Sequence, residues 1–115
     1  MPLLKLDTSV ALSDDQRKSL LPALSKIVAE TIGKPETYMM VAINTSGIFM
    51  AGQPGDAAFV DIRSIGGLST GVNQQLSKKV STLLNQTLAI APNRIYLNFS
   101  DVDASNWGWN GSTFG

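Results

Sequence analysis

Cysteine and histidine are both missing from this chain of 115 residues. Their absence removes disulfide frameworks, CxxC redox pairs, Cys or Ser–His–Asp nucleophile systems and zinc sites of the usual ligand types. Charge is scarce as well. Charged residues make up 16%, with nine Lys plus Arg against nine Asp plus Glu, where about 25% is ordinary. A nucleic-acid binder that neutralises phosphates needs a basic surplus, and there is none. No apolar run approaches the ~20 residues of a spanning helix, and no basic segment followed by an apolar stretch opens the chain. The expectation is a soluble, cytoplasmic protein with neither a nucleic-acid nor a membrane partner. Acid–base chemistry is then left to carboxylates, Lys, Tyr or a chain terminus. A chain of this length buries about two-thirds of its unfolded surface, enough for one core and one domain over residues 1–115. The thin charge implies a surface that is largely uncharged or hidden in contacts, which suggests an oligomer.

What is present falls into two similar halves. Pro2 to Asp7 is a short apolar segment. Ser13-Asp14-Asp15-Gln16 reads as a helix start, with Ser13 as N-cap and Gln16 reaching back to it. Leu20, Leu21, Leu24, Ile27, Val28 and Thr31 follow at helical spacing, and Gly33 and Pro35 end the helix. Pro22 removes one backbone hydrogen bond and should kink this helix or shift its effective start. Tyr38 to Ile43 reads as a buried strand. In the second half Ala58 to Ser64 alternates as a strand, and Ser69 or Thr70 can cap a helix bearing Val72, Leu76, Val80, Leu83, Leu84 and Leu88. Ala91-Pro92-Asn93 then turns the chain into a strand from Arg94 to Ser100. The offset that carries Pro35 onto Pro92 also carries Ser13 onto Thr70, and it is about half the chain length.

Two strand–helix–strand units with right-handed crossovers predict an α+β two-layer sandwich: a four-stranded mixed sheet with both helices on one face. Ser46 to Met50 reads as a short edge strand, and Gly52 to Asp56 as a polar loop. Asn110-Gly111 is a hairpin signal between Trp107-Gly108-Trp109 and Ser112-Thr113-Phe114. One sheet face is left without a helix, yet Tyr38 to Ile43 is nearly all apolar, which implies burial on both faces. Another copy of the chain would supply the cover, and a ring of inward-facing sheets is the simplest closed arrangement.

Several residues carry two readings. Met1-Pro2 is uninformative by composition, but removal of Met1 would expose Pro2 as a secondary amine. A terminal amine has a reference pKa near 8, lowered by burial or a nearby cation, and so suits a general base. Lys34 is either a solvated cation at a helix C-terminus or a receptor for a substrate carboxylate. Tyr96, Asn98 and Ser100 share one strand face, as a solvated row or as the lining of a cleft between chains. Tyr38, Trp107, Trp109 and Phe114 are core aromatics or a pocket wall.

Together these residues resemble the macrophage migration inhibitory factor family of the tautomerase superfamily. The resemblance runs over essentially the whole chain. Its most specific segments are Met1-Pro2, Thr31-Ile32-Gly33-Lys34-Pro35, Ser64-Ile65-Gly66, Arg94-Ile95-Tyr96-Leu97-Asn98 and the tail from Asn106 to Phe114. It implies a homotrimer with an active site at each subunit interface, no cofactor and no metal. The implied activity is keto–enol tautomerisation of phenylpyruvate-type 2-oxo acids, with dopachrome derivatives as alternative substrates. Carried over by position, Pro2 is the base, and Lys34 and the Ile65 amide hold the carboxylate or oxo group. Tyr96 and Asn98 of a neighbouring chain face the substrate, and Tyr38, Trp109 and Phe114 complete an aromatic slot.

Two departures stand out. Where vertebrate members carry a CxxC segment, this chain has Ala57-Ala58-Phe59-Val60, so thiol-redox activity should be absent. Trp107 replaces a small aliphatic residue and should narrow the slot. The resemblance also implies a second class of function, a signalling ligand secreted without a leader whose tautomerase site is vestigial and whose surface engages a receptor. Retention of Pro2, Lys34, Tyr96 and Asn98 favours the enzyme.

Overall fold

Side chains along the first strand are alternately buried and accessible, and that alternation sets the orientation of the whole sheet. In the computed structural model, which describes residues 1–115, β1 (Leu3–Thr8) buries Leu4, Leu6 and Thr8 completely. β2 (Met40–Thr45) lies parallel to β1, β3 (Ala58–Ser64) antiparallel to it, and β4 (Ile95–Asp101) parallel to β3. The strand order is β2-β1-β3-β4. Each half is therefore a parallel strand pair joined by a helical crossover, as the pattern repeat predicts, and the halves meet at the antiparallel β1–β3 seam.

α1 (Asp14–Ile32) begins at a capping box: the Ser13 hydroxyl accepts from the Gln16 amide at 3.1 Å, and the Gln16 side chain accepts from the Ser13 amide at 2.9 Å. Asp14 and Asp15 sit at the positive end of the helix dipole. The helix runs unbroken through Pro22 from its start at Asp14, so the proline, exposed on the outer face, does not move the start. Gly33, with φ +81°, ends it in the left-handed conformation. α2 (Thr70–Leu88) is capped by Ser69, whose hydroxyl accepts from the Val72 amide at 3.2 Å. The choice between Ser69 and Thr70 is thereby settled.

Leu20, Leu24 and Val28 of α1 and Leu76, Val80 and Leu84 of α2 close over Leu4, Leu6, Val60 and Ile62 of the sheet. Each such side chain contributes about 1.5–3 kcal/mol on burial, so this layer dominates stability. The pairing register places the alternate residues of each strand on the opposite face. Met40, Leu3, Arg63 and Ser100 form one cross-strand row there. Ala42, Lys5, Asp61 and Asn98 form the next, and Asn44, Asp7, Phe59 and Tyr96 the last.

Three expectations change. Tyr38 lies in a 3₁₀ turn over Glu36–Tyr38, and β2 starts only at Met40, because Pro35 directs the chain into a turn before the sheet is reached. Of the apolar run, only Met40 and Ala42 then face away from the helices, so the case for burial on both faces shrinks to one large side chain. Arg94 likewise falls in a 3₁₀ turn, Pro92–Arg94. Ser46 to Met50 is not a strand: its only β contact is an isolated bridge between Met50 and Gln53. The segment finds no partner strand within its own chain. Arg94 fixes its far end by donating to the carbonyls of Met50, Gln53 and Asp56 at 2.9–3.2 Å.

The tail forms the hairpin signalled by Asn110-Gly111. β5 (Gly108–Trp109) pairs antiparallel with β6 (Ser112–Thr113), and Asn110 and Gly111 both adopt positive φ.

Candidate active site

The start of β1 carries Pro2, which is buried although it stands one residue from the chain terminus. Its carbonyl accepts from the Met40 amide at 3.1 Å, extending the β1–β2 ladder to the end of the chain. Beside it opens a cleft of about 360 Å³. Pro2, Leu3, Met40 and Val102 supply apolar walls, Tyr38 and Trp107 aromatic ones, and Arg63 and Asn106 polar ones. The Met1 amine, one residue before Pro2, has its pKa lowered from the ordinary value, first by burial and then by the positive charge of Lys34. A neutral amine beside an apolar cleft is the state a base requires.

Lys34 reaches this point because of the turn that ends α1. Its amide and that of Gly33 both donate to the Ala29 carbonyl, at 3.0 and 2.9 Å, which carries the chain back over the helix end. Its side chain then runs across Gly67. A Cβ at Gly67 would lie 3.3 Å from Lys34 Cε and 2.5 Å from Ile32 Cγ2, and φ there is +79°. Glycine is thus required at 67 both for the backbone turn and for the passage of the lysine.

Ile65 sits in the same turn. The Ser64 hydroxyl donates to the Gly66 carbonyl at 2.7 Å, the Gly66 amide donates to Asp101 Oδ1 at 3.0 Å, and the Val102 amide donates to the Ser64 carbonyl at 2.9 Å. These bonds hold the turn rigidly, while the Ile65 amide itself donates to nothing within the chain. A free N–H on a fixed turn is a ready oxyanion or carboxylate donor.

Among the aromatics, Tyr38 and Trp107 line the cleft. Trp109 and Phe114 stack at 5.6 Å with an interplanar angle of 13°, and both meet Tyr38 in edge-type contacts with centroids at 5.9 and 6.2 Å. They extend the wall from Tyr38 rather than line the cleft of one protomer. Tyr96 and Asn98 are elsewhere. They occupy the open face of edge strand β4, and Tyr96 shares the row farthest from Pro2. Tyr96 is 66% exposed. Within one chain they do not meet Pro2.

Sequence reading missed Arg63, Met40, Val102 and Asn106. Arg63 and Met40 looked like ordinary strand positions. Only the β1–β3 register, which sets Arg63 opposite Leu3, reveals that it borders the terminus. Val102 and Asn106 come close because the chain doubles back after β4 through a 3₁₀ turn at Ala104–Asn106. No local signal in the sequence marks that return.

The family model for macrophage migration inhibitory factor matches residues 1–115. A homologue of that factor from Trichuris trichiura is 37% identical over 115 residues, covering 99% of this chain and 100% of the relative. Two crystal structures resemble this one closely. The homologue from Prochlorococcus marinus has a TM-score of 0.93 and 39% identity, covering 98% of this chain and 99% of its own. The factor-like protein of Entamoeba histolytica has a TM-score of 0.94 and 35% identity, covering 98% of both chains. With the fold, the buried terminal proline and full-length matches in agreement, the chain belongs to the macrophage migration inhibitory factor family.

Proposed function

We propose that this protein is a cofactor-free keto–enol tautomerase of phenylpyruvate-type 2-oxo acids, working as a homotrimer with the Pro2 nitrogen as base. The single observation that carries this reading is the terminus itself: a buried proline at a cleft mouth, next to an amine that burial and Lys34 bias towards neutrality. Removal of Met1 frees the Pro2 nitrogen. In the keto-to-enol direction that nitrogen takes a proton from the carbon alpha to the carbonyl, and negative charge builds on the 2-oxo oxygen. Lys34, whose charge already acts on the terminus, and the unpartnered Ile65 amide would be the donors to that charge and to the adjacent carboxylate. The same proton, or one from water, then reaches the oxygen. Nothing is oxidised and no atom is lost, so the chemistry asks only for a base, donors and a dry slot.

Tyr96 and Asn98 enter through assembly. They lie exposed on the helix-free face of edge strand β4, in the cross-strand rows beyond the one that holds Leu3 and Arg63 of the Pro2 cleft, an arrangement suited to sites shared between protomers. The exposed Phe49, on an arm braced by Arg94 but unpaired within its own chain, supplies a further contact for a second copy.

The test follows the enol absorbance of phenylpyruvate for wild type and Pro2→Gly. The variant should lose at least about a hundredfold in kcat/KM, the range of one positioned acid–base group. Mass spectrometry of the active protein should show loss of Met1. Equal rates in Pro2→Gly and wild type, or full activity with Met1 retained, would overturn the reading.

A further inference from the structure

The geometry points to Arg63 as the receptor for a second carboxylate in the Pro2 cleft, making the preferred substrate a dianionic 2-oxo acid whose far end carries another acid group. The inference rests on the tautomerase reading above for the words "2-oxo acid", but the anion site stands on its own observations. Arg63 stands opposite Leu3 across the β1–β3 seam and opposite Ser100 across β3–β4, so its side chain rises from the open face directly beside the terminus. It lines the same cleft as Pro2 and Trp107.

Its hydrogen bonds show what is left for a ligand. Arg63 Nε and Nη2 donate to a single oxygen of Asp61, at 3.2 and 3.0 Å. A guanidinium has five N–H donors in a rigid fork, and this pairing uses one edge of it. The other edge, formed by Nη1 and the second proton of Nη2, has no partner in the chain. That edge matches a carboxylate bidentately. Asp61 is the less exposed partner, at 18% against 54% for Arg63, so it acts as the anchor and the arginine as the presented group.

Lys34 comes to the terminus off the C-terminal end of α1 and over Gly67. Two cations therefore flank the terminus, Arg63 as part of the cleft lining and Lys34 from the end of α1. A monocarboxylate satisfies one. A molecule with a carboxylate at each end of a ring or short chain satisfies both, and its apolar middle meets Leu3, Met40 and Trp107.

The experiment titrates the assembled wild-type protein with benzoate and with benzene-1,4-dicarboxylate by calorimetry, then repeats both with Arg63→Gln and Arg63→Lys. Wild type should bind the dicarboxylate about tenfold tighter than benzoate, the worth of one bidentate pair at a half-exposed site. Arg63→Gln should bring the ratio within about twofold, and Arg63→Lys, which keeps charge but not the fork, should fall between. Arg63→Lys and the benzoate affinity together separate loss of the receptor from loss of the fold. An unchanged ratio in Arg63→Gln, or no preference in wild type, overturns the proposal. Neither ligand reacts, so the ratio reads Arg63 even where Pro2→Gly proves as active as wild type. On the kinetic side, kcat/KM for 4-carboxyphenylpyruvate relative to phenylpyruvate should fall about tenfold in Arg63→Gln, chiefly through KM.

Discussion

Burial and the Lys34 charge act together on the amino terminus, and substitution of Lys34 separates their effects. Burial lowers the basicity of the terminus because a charged ammonium loses hydration, and the Lys34 charge lowers it further by repulsion. Both favour the neutral form of the Met1 amine, and a Pro2 nitrogen freed one residue further along would meet the same burial and the same cation, so the proposed base should be neutral at lower pH than an exposed prolyl terminus. The acid limb of the kcat/KM profile should therefore lie below the pH at which an exposed prolyl terminus titrates. In Lys34→Gln the repulsion disappears while the burial stays, so the limb should move to higher pH without reaching the ordinary value. Lys34→Gln should also raise KM, since it removes a donor to the substrate. A limb that stays in place, measured by pH-dependent tautomerase assays, would show that Lys34 does not act on the base.

At the scale of elements, the parts that read correctly from sequence are those whose signal is local. The capping box at Ser13, the Leu20–Leu24–Val28 stripe and the Asn110-Gly111 hairpin each act within a few residues, so the pattern and the structure agree. The alternation of β3 likewise announces its buried face. The misreadings are tertiary in origin. Tyr38 belongs to a turn because Pro35 delays entry into the sheet, and Ser46 to Met50 lacks a strand partner that only another element could supply. Arg63 was silent because its meaning comes from the register across β1–β3, which a single sequence does not display. Of the residues that line the cleft, Pro2, Tyr38 and Trp107 stand out in the sequence, while the walls made by Met40, Val102 and Asn106 do not. The turn at Gly66-Gly67 ties these elements to the chemistry and is open to test. Gly67→Ala forces a left-handed φ on a residue with a Cβ and drives that Cβ towards Ile32 Cγ2. The expected cost is about 2 kcal/mol, roughly half from conformation and half from the contact, read from urea unfolding. Lys34 Cε must shift as well, so the variant should lose tautomerase activity beyond what its stability accounts for.

For the whole molecule, the open sheet face and the braced arm raise the question of where the second half of each site comes from. Met40 and Phe49 are 65% and 71% exposed in the single chain, and both edge strands β2 and β4 lack a neighbour. Edges and apolar side chains left bare in this way favour closure by copies of the same chain. A trimer should appear in sizing at about three times 12.3 kDa. Phe49→Asp should shift it towards monomer and abolish turnover while leaving Pro2 and Lys34 untouched. Mass alone does not show that sites are shared, but complementation does. Pro2→Gly lacks the base, and a Tyr96→Ala, Asn98→Ala chain lacks the groups assigned to the neighbour, so each alone should be inactive. In mixed trimers, a site whose Pro2 comes from the second variant and whose Tyr96 and Asn98 come from the first is intact. Random co-assembly makes about a quarter of all sites of that kind. Co-expression of the two inactive chains should therefore restore about a quarter of wild-type activity per site. If each site were built within one chain, mixing would restore none, because every chain would still carry its own defect.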